Sequence, residues 1–443
     1  MVPSPTSPPQ TRTSLSQEIL ALAIPAFATL VSEPLLLMAD SAMVGHLGTR
    51  QLAGLGLASS VLNIINGLCV FLAYGTTSLV ARRIGAGDSR RALAGGIDGM
   101  ALGLGLGSLL AVVLNLTAPT VIGWYGAGPE VSSQAVDYLR IACWGLPMLL
   151  LMLASTGVLR GMKDTRTPLT VAVSMNLANI GLNALFMYGM GMGIRGSATG
   201  TLLAQAIGAS VLTAVVLRGA VRAGVPLGVR VHGVLEAARG GIWLVMRSAW
   251  LQASLAVTVA VAARTGQVGL AGHQVTNSIW SFLCLALDAL AIAAQAMVGH
   301  ELGRGDAGKV RSITAKLCWW GVAGGLVFAA GLVLVRGVLA PVFTPDAEVQ
   351  QLLVRLLLVL ALITPIGGIV FVLDGVLIGA GDARYLAFAG MVATLAYVPM
   401  ALAVDHAGRG VIWLWLAYGG YLLARVATLA LRARSDAWMR LGA

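Results

Sequence analysis

Four acidic residues stand inside stretches that are otherwise apolar: Glu33, Asp40, Asp288 and Asp374. An ionised side chain in hydrocarbon costs on the order of a few kcal/mol, so such residues either pair with a partner or mark the path of an ion or a substrate. Asp40, among Leu36, Leu37, Met38 and Met43, has no basic residue near it in sequence. It reads as a group whose charge is neutralised by a bound cation, the smallest being a proton. Glu33 immediately precedes Pro34 and could instead satisfy backbone amides freed at a kink. Asp288 could pair structurally with Arg247, a cation inside another apolar stretch, or take part in function; spacing leaves both readings open. Asp374, within Phe371-Val372-Leu373-Asp374-Gly375, reads as functional. Asn176, Asn179 and Asn183 recur at spacings of three and four and therefore share one helical face. Such a stripe is either packing glue between helices or a row of carboxamides that helps an acid hold a cation or share a proton. Thr201 is the next polar residue able to join it. Asp98 lies near the end of an apolar stretch and reads as a solvated or capping residue.

Other chemistries find no support in the residues. There is no GxSxG, HExxH or P-loop pattern and no paired Ser/Lys arrangement. His46, His273 and His300 are scattered near the ends of apolar stretches, and Cys69, Cys143, Cys284 and Cys318 sit in apolar runs without metal-ligand or disulfide spacing. No metal, no organic cofactor and no enzymatic activity is expected. Without a nucleotide-binding loop, any pumping must draw on an ion gradient.

The elements that position these residues follow from composition. The chain of 443 residues is 58% hydrophobic and 11% charged, with mean hydropathy +0.86, against roughly a quarter charged in soluble domains. Lipid must therefore be its solvent. About 20 apolar residues cross a bilayer core as a helix, and twelve stretches qualify, near 16–44, 51–81, 92–118, 132–158, 167–190, 196–217, 237–263, 268–300, 310–335, 348–377, 385–404 and 410–431. Pro25, Pro34, Pro147 and Pro365 fall inside them, where a kink is tolerated if neighbouring helices satisfy the freed backbone. The formal charge of +11 reflects topology rather than nucleic-acid binding, because 20 of the 29 basic residues lie between spans on one side and five on the other. Arg140, Arg247, Arg355 and Arg425 fall within spans. The positive-inside rule then places both termini in the cytoplasm. Arginine outnumbers lysine 26 to 3, which fits a GC-rich bacterial genome and hence a bacterial inner membrane.

The halves of the chain repeat each other. A gapless shift of 218 residues brings Gly85-Ala86-Gly87-Asp88 onto Gly303-Arg304-Gly305-Asp306, Pro147 onto Pro365, and Leu159-Arg160-Gly161-Met162-Lys163-Asp164 onto Leu377-Ile378-Gly379-Ala380-Gly381-Asp382. The expected fold is all-α: a polytopic membrane protein with twelve transmembrane helices in two six-helix lobes related by an internal repeat. Six spans per half make the repeats parallel, with an axis along the membrane normal and a cavity between them. The divisions are a disordered cytoplasmic tail over 1–14, an N-terminal lobe over 15–217, a cytoplasmic linker over 218–236, a C-terminal lobe over 237–434 and a cytoplasmic tail over 435–443.

The stretch Ala39-Asp40-Ser41-Ala42-Met43-Val44-Gly45-His46-Leu47-Gly48, the loops Ile84-Gly85-Ala86-Gly87-Asp88 and Leu159-Arg160-Gly161-Met162-Lys163-Asp164-Thr165, and Asn179-Ile180-Gly181-Leu182-Asn183 resemble the multidrug and toxic compound extrusion (MATE) family. Ser32-Glu33-Pro34-Leu35 and the region from His273-Gln274 to Asp288 resemble its DNA-damage-inducible F branch. The resemblance spans residues 15 to 434. It implies an antiporter that expels cationic or amphipathic compounds in exchange for protons or sodium. It further implies that Asp40 is the coupling acid of the first helix, that Asn179 and Thr201 are its polar partners, and that Asp374 is the second-lobe acid used by other branches. Some relatives carry an aspartate where this chain has Asn183, and loss of that charge favours a proton over sodium. The expectation is a proton-coupled exporter working by alternating access, with Asp40, Asn179, Asn183 and Thr201 at the coupling site and Asp374, Asp288, Arg247 and Glu33 as further polar sites. Its partners would be small cationic or amphipathic compounds and membrane lipids, not nucleic acid, and one chain holds the whole pathway, so a monomer should suffice. A sodium-coupled exporter, a flippase for lipid-linked precursors, an intramembrane enzyme built on Asp288 or Asp374, and a channel are the competing readings. The few interior arginines disfavour the flippase, the missing catalytic partner the enzyme, and the scarcity of polar residues in the spans the channel.

Overall fold

In the computed structural model, which describes residues 14–442, twelve helices are long and apolar enough to cross a membrane, and there is no strand among the described residues. They are α1 (Leu15–Gly45), α2 (Thr49–Gly85), α3 (Ser89–Gly123), α4 (Pro129–Gly161), α5 (Arg166–Gly189), α6 (Ile194–Arg222), α7 (Val231–Arg264), α8 (Gly266–Arg304), α9 (Ala307–Phe343), α10 (Ala347–Gly379), α11 (Ala383–His406) and α12 (Val411–Arg434). Each matches one apolar stretch of the sequence. Most run several residues further at both ends, since polar and basic residues outside hydrocarbon continue a helix without cost. Helices α6 and α7 run into the basic stretch joining the halves, so only 223–230 between them is not helical. Most of the segment read as a disordered tail, residues 1–13, lies outside the described residues; Ser14 caps α1 with its hydroxyl on the Gln17 amide.

Lipid leaves every backbone group to find its partner inside the protein, and the proline kinks show how this is met. Pro25 withdraws an amide from the Ala21 carbonyl in α1, which the Thr165 hydroxyl approaches at 3.5 Å. Apolar side chains that a soluble protein would cover, such as Leu116 of α3 and Leu334 of α9, stand exposed on the outer faces, as a lipid solvent permits.

The 218-residue shift is a relation of structure as well as of sequence. Asp88 and Asp306 cap α3 and α9 by accepting from the Arg91 and Lys309 amides, each at 2.9 Å. Gly87 and Gly305 just before them take the left-handed conformation at φ 82° and 80°. Lys163 and Gly381 are likewise left-handed, at 64° and 75°. Gly107 packs against Pro147 as Gly325 packs against Pro365.

The two halves meet most tightly at the end that carries the basic loops. There a side chain on Gly85 would overlap the His300 carbonyl, and one on Gly303 would overlap the Arg82 carbonyl. The repeat-related glycines thus let α2 and α8 touch backbone to backbone. Arg82 locks the seam: its guanidinium donates to the Ala380 carbonyl at 2.9 Å and to those of Arg440 and Gly442 at 2.8 Å, while the Ser78 hydroxyl donates to Gly379 at 3.1 Å. The C-terminal segment is held in the same seam by the Gly442 amide, which donates to Leu302 at 3.0 Å. Asp98 proves to be no solvated cap. It is buried and receives the Arg230 amide at 3.0 Å and its guanidinium at 2.6 Å, tying the start of α7 to α3 across the halves. A close-packed seam of this kind opens only as a unit. Gly303→Ala should wedge it apart, because overpacking costs about 1–3 kcal/mol, a factor of about 5 to 150 in the equilibrium between closed and open. The expected result is a higher thiol-labelling rate for a cysteine introduced at Ser78; an unchanged rate would show that the seam is not what closes this end.

Candidate functional site

Two of the cavities in the protein are each walled mainly by one half. The first, of about 340 Å³, is bounded by α1, α2, α4, α5, α6 and α8 and holds Glu33, Asp40, Tyr74, Arg160, Thr201 and Asp288 in its wall. Asp40 is 5% exposed and accepts a hydrogen bond from the Asn183 carboxamide at 2.7 Å. Asn183 also donates to Asn179 at 3.0 Å, and Asn179 donates to Thr201 at 3.0 Å. The four residues expected at a coupling site therefore form one relay. Its geometry follows from the helix repeat: Asn179 and Asn183 are one turn apart on α5 and face α1 on one side and α6 on the other. Asn176, a turn earlier, instead donates to the Ser32 carbonyl at 3.0 Å, as packing glue does. No basic side chain lies within 4 Å of Asp40 among the described residues, so its charge is met only by carboxamide dipoles. The Asn183 oxygen is buried without a partner beside it.

Glu33 does not satisfy backbone at the kink. It faces the same cavity two turns before Asp40 and accepts from the Asn66 carboxamide of α2 at 3.1 Å. Asp288, which spacing allowed as a partner of Arg247, forms no ion pair within 4 Å among the described residues. Helix α8 belongs to the second half by sequence but packs along α1 and α2, and this carries Asp288 into the wall of the first cavity, with Tyr74 and Arg160 near it. Arg160, which counts by sequence among the basic loops, is 8% exposed.

The second cavity, of about 310 Å³, lies among α7, α8, α10 and α12. Here Asp374 is held by two guanidiniums, that of Arg247 on α7 and that of Arg425 on α12, the latter at 2.6 Å. Arg247 thus finds its acid in Asp374, not Asp288, because α7 faces α10 and α12 across this cavity. Trp280, Trp415, Tyr418 and Tyr421 complete the wall with His273. Spacing placed His273 at a membrane boundary and left Arg425 without a role; the structure puts both, 1% and 3% exposed, in the wall of the second cavity. Arginine within an apolar span was the available signal for Arg425. No group of three or more histidine, cysteine, aspartate or glutamate side chains able to hold a metal exists among the described residues.

The pattern of twelve helices in two repeat-related halves, with a polar cavity in each, is that of a known class of transporter. The MatE family model matches residues 25–185 and 244–402. The chain belongs to the MatE family. It is 30% identical to protein DETOXIFICATION 44, chloroplastic, of Arabidopsis thaliana, over 97% of this chain and 82% of that one. It is 26% identical to DNA damage-inducible protein F of Escherichia coli K12, over 94% and 92% of the two chains. A crystal structure of a Vibrio cholerae MATE transporter superposes with a TM-score of 0.88 at 21% identity, covering 96% of this chain and 98% of that one. The chain is therefore a membrane transporter of the multidrug and toxic compound efflux family, acting on small molecules.

The different pairing of the buried acids makes a stability prediction. Removing one member of a buried ion pair strands its partner and costs about 3–5 kcal/mol, so Asp374→Asn should lower the thermal midpoint of the purified protein by several degrees. Asp288→Asn breaks no ion pair within 4 Å, although it faces Arg160, and should lower it less. A thermal-shift series in detergent reads both, and equal losses would contradict the assignment of Arg247 to Asp374.

Proposed function

We propose that the protein is a proton-coupled antiporter that exports amphipathic compounds by alternating access across a bacterial inner membrane, with its basic end and both termini in the cytoplasm. The observation that carries this reading is Asp40: a buried carboxyl group in a cavity wall, free of any ion pair within 4 Å among the described residues and contacted by a neutral relay of Asn183, Asn179 and Thr201. A charge so placed is costly, and a proton removes it without needing a shell of oxygen ligands. Glu33 shares the cavity but is engaged by Asn66, two turns away, so each carboxyl has its own carboxamide and no second acid completes a sodium site at Asp40. The acids of this cavity outnumber its one arginine and suit compounds bearing positive charge.

The coupling follows from linkage. An ion shifts a conformational equilibrium only by binding the two states differently. When Asp40 is neutral, its bond to Asn183 loses its charge-assisted part, and α1 is freed relative to α5. Helix α1 carries Pro25 and Pro34, so it bends at defined places. Proton loading at Asp40 would thereby exchange one α1 shape, and one cavity shape, for another.

Two results are expected in proteoliposomes loaded with a fluorescent amphipathic cation. An inward proton gradient in sodium-free potassium buffer drives efflux, and Asp40→Asn abolishes that coupled efflux while the protein remains folded by thermal shift. Efflux that begins only when sodium is added outside would replace the proton by sodium. Wild-type rates in Asp40→Asn would remove Asp40 from the mechanism.

A further inference from the structure

We infer that the second cavity is a binding site for small aromatic carboxylates, distinct in charge and cargo class from the acidic first cavity. Its wall holds an unusual set of buried polar atoms with no hydrogen-bond partner: Nε of Arg247, Nε of Arg425, Nε1 of Trp415, the Tyr421 hydroxyl and both ring nitrogens of His273. Buried polar groups are as a rule hydrogen-bonded, and leaving one unmet is destabilising. Here the residues that carry them all line one cavity and are nine-tenths buried except Arg247, whose side chain is 12% exposed. Donors predominate in the set. Arginine Nε and indole Nε1 only donate, whereas the tyrosine hydroxyl and the imidazole can do either, so a ligand that satisfies the three donor-only atoms must bring acceptors.

Charge points the same way. Asp374 neutralises one of the two guanidiniums it touches and leaves the other over. It occupies a terminal nitrogen of each arginine, and both Nε atoms are left without a partner. Asp288 is the next acid toward Arg247, beyond ion-pair distance and in the wall of the first cavity, with Tyr74 stacked between the two regions at 5.8 Å from the guanidinium. A carboxylate matches the fork of a guanidinium with two parallel hydrogen bonds and is the smallest such anionic head an aromatic compound commonly carries.

The rest of the wall sets the shape of the ligand. Tyr418 is stacked on Tyr421 at 5.4 Å between centroids and meets the edges of Trp415 and Trp280 at 5.6 and 6.1 Å. These rings, with Leu251, Leu255 and Val370, give the cavity an apolar, largely aromatic lining beside the arginines. A volume of about 310 Å³ holds a fused two-ring compound. The aromatic lining and the donors together select an aromatic body with a carboxylate head.

This goes beyond the exporter reading and rests on it only in treating the bound compound as cargo. The test is equilibrium binding with no gradient, so loss of proton coupling would leave it intact, and failure to bind would leave the role of Asp40 untouched. Three probes of one shape are titrated into the purified full-length protein: 2-naphthoate, 2-naphthamide and 2-naphthylmethylammonium, followed by calorimetry and by quenching of tryptophan fluorescence. The naphthoate is expected to bind at least about tenfold more tightly than either analogue, which is the worth of a charge-assisted hydrogen bond. Arg425→Gln should lose that preference. Asp374→Asn provides a second readout that survives if Arg425→Gln fails to fold: removing the competing acid should tighten naphthoate binding, and naphthoate but not naphthamide should recover the lowered thermal midpoint. Equal binding of the amine or the amide, or weaker naphthoate binding in folded Asp374→Asn, would overturn the assignment.

Discussion

Hydrocarbon offers no hydrogen bonds and screens no charge, and this constraint organises the whole molecule. It forces each span into a continuous helix and sends polar side chains inward to find one another. The acids within the spans are therefore informative by their partners. Asp374 is met by two arginines, Glu33 by one carboxamide and Asp40 by a carboxamide relay, whereas Asp288 has no ion partner within 4 Å among the described residues. A tightly paired acid contributes to the architecture; a weakly paired one is available to exchange a proton.

The repeat supplies a scaffold, and the two halves have filled it with opposite chemistry. Under the 218-residue shift, Asp40 corresponds to Thr258 and Asn179 to Tyr397. Those two are hydrogen-bonded to each other, at 2.6 Å, in the second half, whereas Asp40 bonds Asn183, one turn beyond Asn179. A polar bridge between the first and fifth helices of each half is thus kept, shifted by a turn on the fifth, while its charge is lost. In return, Asp374 and Arg247 stand where the first half has Thr156 and Thr29. Parallel duplication gives two cavities of similar volume, and divergence gives them different electrostatics.

The seam at the basic end couples them. Gly85 and Gly303 bring α2 and α8 together, and the Arg82 guanidinium binds three carbonyls of the second half, two of them in the terminal segment. Helix α8 is the shared element, with Asp288 in the first cavity and His273 and Trp280 in the second. A change in either cavity that moves α8 acts on the seam, because α8 takes part in both.

Composition and periodicity alone determined the number of spans, their limits to within several residues, the internal repeat and the inward acids, because lipid imposes a long-range apolar pattern that local sequence cannot hide. The carboxamide relay at Asp40 was legible too, since spacings of three and four on one helix place Asn179 and Asn183 on a common face. What only the tertiary structure decided was which charges meet. Arg247 reaches Asp374 instead of Asp288, Arg230 reaches Asp98, and Arg425 and His273 enter a cavity, because these contacts join helices far apart in the chain. Ion pairing depends on distance in space, and hydropathy fixes only the depth of a residue along its own helix, not the neighbour its side chain faces.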